Sequence, residues 1–142
     1  MVMPISKRYE LLGWVTRKKE RYIIEDDYDS ELRLAGKPIP SLQSIDVSGK
    51  VIYINTFAKT LCSTVRISYM VLPEALAEKY YRELSFYSCT VSNFEQYTLA
   101  AFMNAGAFEK HINRLRNYYQ HKRDLILSTF LKEPLGKLYY DQ

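Results

Sequence analysis

Apolar positions along the 142-residue chain follow a helical period in some stretches and form short continuous runs in others. Near the start, Tyr9, Leu12 or Gly13, and Val15 recur at roughly helical spacing through KRYELLGWVTRKKE, and Ser6 stands where an N-cap would. The pattern predicts one amphipathic helix with a basic C-terminal turn, which suits the helix dipole. Three short β-branched runs then predict strands: YII at 22–24, VIYINTF at 51–57 and RISYMVL at 66–72. The first ends in the acidic cluster Glu25, Asp26, Asp27. Between the first two, ELRLAGKPIPSLQSIDVSGK is punctuated by Gly36, Pro38, Pro40 and Gly49 and reads as a loop-rich connection.

The second half is helical. Pro73 suits the first position of a helix whose apolar stripe is Leu76, Tyr80, Leu84 and Tyr87. VSNFEQYTLAAFMNA follows, with Phe94, Tyr97 and Ala101 on one face and Gly106 as a left-handed cap. A long helix is predicted over 107–132, where Phe108, Ile112, Leu115 and Tyr119 repeat at intervals of 4, 3 and 4, and Pro134 stops it. Short strands followed by helices predict an α/β class with ligand chemistry at the strand ends. Three strands make a thin sheet, and a loop of about twenty residues is long for a complete domain. With a new apolar run opening in LKEPLGKLYYDQ, the chain is expected to be part of something larger.

Composition changes this picture little. At 47% hydrophobic and 25% charged residues, the chain is ordinary globular material rather than disordered. No stretch approaches ~18 consecutive apolar residues, and MVMPISKRYE lacks the charged and apolar regions of an export signal. A soluble cytoplasmic protein with no membrane partner is the expectation. Cys62 and Cys89 have no metal-ligand spacing and are expected as reduced thiols, Cys62 packing as a small hydrophobe. A net charge of +4 and a pI near 9.0 raise the question of nucleic acid. The basic residues Lys7, Arg8, Arg17, Lys18, Lys19 and Lys110, Arg114, Arg116, Lys122, Arg123 are mixed with Glu10, Glu20, Glu109 and Asp124, however, a pattern of solvated helix faces.

Candidate chemistry gathers at the predicted strand ends. Asp26 and Tyr28 follow the first strand, Thr56 and Lys59 end the second, and Arg66 opens the third. Singly, each suits a turn, a cap or a surface position. Jointly, they put an amine, a carboxylate, a phenol, a hydroxyl and a guanidinium along one sheet edge. Asp26 and Tyr28 are two apart, so both reach the same side of an extended chain.

The segments IEDDYDSELRLAGKPIPSLQ and VIYINTFAKTLCSTVRISYMVLP resemble the cofactor-binding core of fold-type I pyridoxal-phosphate proteins, the aspartate aminotransferase superfamily. More narrowly, they resemble the aminotransferase-like domain of MocR-type regulators in the GntR superfamily. The likeness extends through FEQYTLAAFMNAGAFEKHINRLRNYYQHKRDLIL and the leading MVMPISKRYELLGWV, nearly the whole chain. It implies part of a three-layer α/β/α large domain, with pyridoxal 5'-phosphate as cofactor. Lys59 would bond the cofactor aldehyde, which needs a deprotonated amine. Asp26 would face the pyridine nitrogen, Tyr28 would hydrogen-bond the ring's phenolic oxygen, and Arg66 would clamp the phosphate with a planar fork that lysine cannot reproduce. Thr56 would add a neutral donor to the phosphate.

This chain departs from the family pattern at Ala58, where a serine is usual, and at Ser63 and Thr64, where Pro-Gly is frequent. Weaker phosphate binding than in relatives is therefore expected, with a β-branched residue at a position that favours glycine.

The resemblance further implies that residues 1–106 belong to the large domain, and that 107–142 are a linking helix and the start of the small domain. The parent would be a homodimeric regulator responding to an amino acid or amine, and DNA would be met only through a winged helix absent from this chain. A free-standing class I/II aminotransferase shares the same residues, with Lys59 also moving a proton. A basic interaction module without cofactor is the third reading. The isolated chain is expected to be inactive as an enzyme.

Overall fold

The computed structural model describes residues 3–28, 30–32 and 39–132. Gly36, Pro38, Pro134 and the LKEPLGKLYYDQ run after Lys132 lie outside the described residues. The chain divides into two compact units, the first comprising residues 1–28 and 39–91, the second 29–38 and 92–142.

The first unit opens with α1, Ile5–Val15. Its first turn closes when Arg8 N–H donates to the Pro4 carbonyl at 3.2 Å, so the helix starts before Ser6, which is not the cap. It also stops at Val15, leaving Arg17, Lys18 and Lys19 in turns beyond it instead of in a basic last turn. Three strands follow, β1 at Ile23–Asp26, β2 at Val51–Thr56 and β3 at Ser68–Val71, in the order β1-β2-β3. β1 and β2 are parallel, with Glu25 opposite Tyr53 and Asp26 opposite Ile54; β2 and β3 are antiparallel, with Thr56 opposite Ser68. A parallel pair needs a crossover, supplied by residues 27–50, while the antiparallel pair needs only the short connection 57–67. The crossover is less irregular than its glycines and prolines suggest. It contains α2, Leu42–Ile45, capped by the Ser41 side chain accepting from Ser44 N–H at 3.0 Å.

One face of the sheet is tied to α1 and α2 by charge. Register partners in a parallel pair point the same way, so Glu25 and Tyr53 share a face, and Asp26, Ile54 and Thr56 share the other. Glu25 accepts from the backbone N–H groups of Leu42 and Gln43 at 2.8 and 3.0 Å and pairs with Arg8 at 3.8 Å. Arg8, only 8% exposed, also donates to the carbonyls of Met3 and Pro40. The solvated-face expectation therefore fails for Arg8: it takes the inward position beside Val15, while Tyr9 turns to solvent. The cause is a tertiary contact, because the guanidinium is the cation beside a carboxylate held at a helix start. Val15, Leu42 and Val51 form the buried apolar core of this unit.

The Asp46 carboxylate closes the turn before β2. It accepts from Ser48 Oγ and from the N–H groups of Ser48, Lys50 and Val51 at 2.6 to 2.8 Å. Burial pushes its carboxyl up, but these hydrogen bonds outweigh burial and hold it below the ordinary value of 3.8. After β3, Pro73 sits at the cap position of α3, Glu74–Leu84. Leu76, Tyr80 and Leu84 line an open cavity of about 300 Å³ with Met70 and Leu72. Tyr87 lies past the helix end and is exposed.

The second unit is helical. α4, Asn93–Asn104, begins with a reciprocal capping box between Ser92 and Glu95. Gly106, at φ +66, turns the chain into α5, Ala107–Lys132, and Phe102 meets Phe108 edge-on at 6.5 Å across that turn. Ile112 is buried, whereas Phe94, Tyr97 and Tyr119 of the expected stripes are exposed. Arg116 donates to the Glu31 carbonyl at 2.6 Å, fastening α5 to the short 3-10 turn Ser30–Leu32 and departing from a fully solvated face. Among the described residues, no helix is long and apolar enough to cross a membrane.

Candidate functional site

Because β1 and β2 run parallel and β3 antiparallel, the C-terminal ends of the first two strands and the approach to the third lie at one edge. Asp26 is the last residue of β1 rather than the residue after it, and Thr56 is the last of β2. Arg66 lies two residues before β3. The strands differ by one or two residues from their predicted limits, yet the polar groups keep to one edge.

The loop 57–67 is closed at its base. Phe57 N–H and the Thr56 hydroxyl both donate to the Ile67 carbonyl, at 2.9 and 3.3 Å. Thr56 Oγ1 also accepts from Ala58 N–H at 3.3 Å, so its hydroxyl is engaged within the loop. One turn later, Leu61 N–H donates to the Phe57 carbonyl at 2.9 Å, and the Thr60 hydroxyl, buried, donates to the same carbonyl at 3.3 Å. Lys59 sits on this turn with its side chain outward, and its Nζ lies 4.2 Å from the centre of the Tyr28 ring. Residues 31 positions apart in sequence thus meet at the sheet edge.

Asp26 and Arg66 are exposed. Among the described residues, neither takes part in an ion pair. The structure therefore brings Lys59 onto Tyr28 and puts Asp26, Thr56 and Arg66 on the same edge, with the Thr56 hydroxyl turned to Ile67.

The loop also accommodates its unusual residues. Among the described residues, none other than glycine has positive φ, so Thr64 adopts no conformation that requires glycine. Ser63 and Thr64 instead lie in a turn where Val65 N–H donates to the Cys62 carbonyl at 3.0 Å. Cys62 is exposed rather than packed, 2.9 Å from Thr64 Oγ1, and that hydrogen bond holds its thiol below the usual range. The polar neighbour and the open turn account for the difference from a packed small hydrophobe. Cys62 and Cys89 are both exposed and not joined in a disulfide.

Behind the edge lies a network that sequence reasoning did not single out. The Tyr53 hydroxyl donates to Asp27 Oδ2 at 3.0 Å and accepts from Asn55 Nδ2 at 3.0 Å, while Asn55 Oδ1 accepts from Thr56 N–H at 2.6 Å. Asn55 is 1% exposed, and Asp27 N–H donates to the Ile54 carbonyl at 2.9 Å. Burial pushes the Tyr53 phenol up and the Asp27 carboxylate pushes it further, while the Asn55 amide works the other way. The phenol is held protonated, the form in which it can donate to Asp27. The period-two placement of Tyr53 and Asn55 could have located this network, but their fit to a strand concealed it.

No protein-family model matches the chain. Among curated proteins, the chain is 46% identical over 132 residues to the HTH-type transcriptional regulator YdeL of Bacillus subtilis, covering 93% of this chain and 28% of that protein. It is 38% identical over 127 residues to the probable rhizopine catabolism regulatory protein MocR of Rhizobium meliloti, covering 89% of this chain and 26% of the relative. Among solved structures, a kynurenine aminotransferase of Pyrococcus horikoshii, determined in complex with PMP, matches with a TM-score of 0.79 and 31% identity over 96% of this chain and 34% of its own. The chain thus spans between a quarter and about a third of the length of these proteins. The fold is that of PLP-dependent aminotransferases, which are three-layer α/β/α proteins. By these matches the chain is similar over most of its length to fold-type I aminotransferases and to the aminotransferase-like part of MocR-type regulators in the GntR superfamily.

Proposed function

We propose that the full-length protein carrying this chain is a cytoplasmic MocR-type transcription regulator whose aminotransferase-like domain binds pyridoxal 5'-phosphate and responds to an amino acid or amine. The observation that carries this reading is the meeting of Lys59 with Tyr28 at 4.2 Å, on the edge that also holds Asp26 and Arg66. The side-chain chemistry fits the group: an amine for its aldehyde, a carboxylate for its ring nitrogen, a phenol for its ring oxygen and a guanidinium for its phosphate. When bound, the cofactor supplies an electron-withdrawing ring.

The chain's own residues would divide the work of holding it. Lys59 would carry it covalently and Asp26 would keep the ring nitrogen protonated. Tyr28 would donate to the ring oxygen, and Arg66 would hold the phosphate in a bidentate grip. Thr56 would turn its hydroxyl from Ile67 to the phosphate. With alanine at position 58, the phosphate would be held by fewer hydroxyls than in relatives with serine there. Residues 1–106 would belong to the large domain and α5 would lead toward the small one. A winged helix outside this chain would meet DNA, and the parent would be a homodimer.

The regulators' identities of 46% and 38%, against 31% for the solved aminotransferase, favour this reading over a free-standing aminotransferase that uses the same residues. The test is visible absorbance of the full-length protein mixed with pyridoxal 5'-phosphate. Wild type is expected to develop a band that Lys59→Ala lacks; identical spectra would overturn the assignment of Lys59. Retention of operator DNA by the full-length protein, altered by an amino compound, would separate regulator from enzyme.

A further inference from the structure

We propose that Tyr53 is a positioning residue, holding the Asp26–Tyr28 segment in place for the cofactor from the opposite face of the sheet; the proposal rests on the cofactor reading above. Tyr53 is bonded directly to the segment that carries Asp26 and Tyr28 and is linked through Asn55 and Tyr69 to those that carry Thr56, Lys59 and Arg66. Its hydroxyl donates to Asp27, the residue between Asp26 and Tyr28, at 3.0 Å. Its acceptor bond comes from Asn55, whose carbonyl oxygen takes the backbone N–H of Thr56. Its ring lies 6.1 Å from that of Tyr69 in β3, and Tyr69 lies 5.4 Å from Phe57, the first residue of the loop bearing Lys59 and Arg66.

The geometry explains why a second face is needed. Asp26 ends β1, and beyond Asp27 N–H, which donates to the Ile54 carbonyl, the ladder of β1 against β2 goes no further among the described residues. Tyr28 therefore follows a strand that has just lost its backbone guidance. The Asp27 side chain, drawn to Tyr53 behind the sheet, fixes the last turn of direction before Tyr28. Alternation along an extended chain then puts Asp26 and Tyr28 on the opposite face, where the Tyr28 ring meets Lys59. Asn55 completes the arrangement: its buried amide, with oxygen and nitrogen both committed, leaves the Tyr53 hydroxyl hydrogen to Asp27.

Tyr53→Phe removes the hydroxyl and keeps the ring, and Asp27→Asn removes the charge it serves. In the full-length protein, each is expected to weaken pyridoxal 5'-phosphate binding about tenfold, as loss of one hydrogen bond to a charged group does, and to shift the pH midpoint of the visible band. The double variant is expected to be no weaker than the weaker single one, because both break the same contact. Unchanged affinity in Tyr53→Phe, or effects that multiply to about a hundredfold in the double variant, would overturn the proposal.

Hydrogen exchange of the cofactor-free protein gives a readout that does not depend on the cofactor. The amide of Asp27, which donates to the Ile54 carbonyl, is expected to exchange about tenfold faster in Tyr53→Phe. If wild type develops no Lys59-dependent band, the cofactor reading fails and exchange alone decides: faster exchange supports the positioning of this segment, and unchanged exchange overturns it. If wild type binds the cofactor while affinity is unmoved in Tyr53→Phe, the cofactor reading stands and the positioning role is lost, whatever the exchange.

Discussion

Glu25 and Asp26 are neighbours in one strand, carry the same charge, and are treated in opposite ways. Glu25 accepts two backbone N–H groups and faces Arg8, with both side chains nearly withdrawn from water. Asp26, one residue on and turned to the other face, is exposed and outside the ion pairs of the described residues. The same contrast separates Arg8, buried among carbonyls, from Arg66, exposed at the site edge. Burying a charge is tolerable only with partners, so the first face reports what folding required. An exposed charge needs no partner, so a single one carries no message. Lys59, Asp26 and Arg66 gain meaning because the strand directions bring them to one edge beside Tyr28.

The sharpest way to break this contrast is Glu25→Ala. It strands a buried guanidinium and two backbone donors and is expected to cost about 3 kcal/mol in urea unfolding of the full-length protein. A loss under about 1 kcal/mol would mean that the covered face is no more demanding than the open one. Asp46→Ala is expected to cost about 2 kcal/mol, since one carboxylate serves three backbone donors and a hydroxyl. Its carboxyl is held below 3.8, so the stability it contributes is whole above that value and is lost as pH falls through the folded-state range. Unfolding of Asp46→Asn followed below pH 4 is expected to show a flatter acid dependence than wild type, and parallel curves would count against this account.

Ser92→Ala removes one half of a capping box and is expected to cost about 1 kcal/mol, measured the same way. The smallest effects are expected on the open edge: Asp26→Asn and Lys59→Ala should move stability by less than about 0.5 kcal/mol while altering the visible spectrum with cofactor. A large stability loss at either position would erase the distinction between the faces.

Much of this arrangement was legible in the chain. The β-branched runs located all three strands, and the 4-3-4 spacing with Gly106 located α5. What escaped were partners distant in sequence. Arg8 looked like one more cation in a basic stretch, because nothing local announces that Glu25, 17 positions away, will be held at the start of α2. Ser6 resembled a cap, but the first hydrogen bond reached back to Pro4. Asp27 read as one member of an acidic cluster and Tyr53 as a strand residue, and only the register of β1 against β2 makes them a pair. The candidate site was more legible than its support, since the side chains of the edge carry recognisable chemistry and those behind it use ordinary hydrogen bonds.

The lengths of the two strand connections also set an order of events during folding. Residues 57–67 join β2 to β3, and residues 27–50 join β1 to β2, a span more than twice as long. Closing the longer one costs roughly 0.7 kcal/mol more chain entropy, before its own short helix is formed. The antiparallel pair is thus the natural nucleus, and the loop bearing Lys59 and Arg66 takes shape with it, while β1 is recruited afterwards. Asp26 and Tyr28 then arrive last, delivered to an amine and a guanidinium that already stand at the edge.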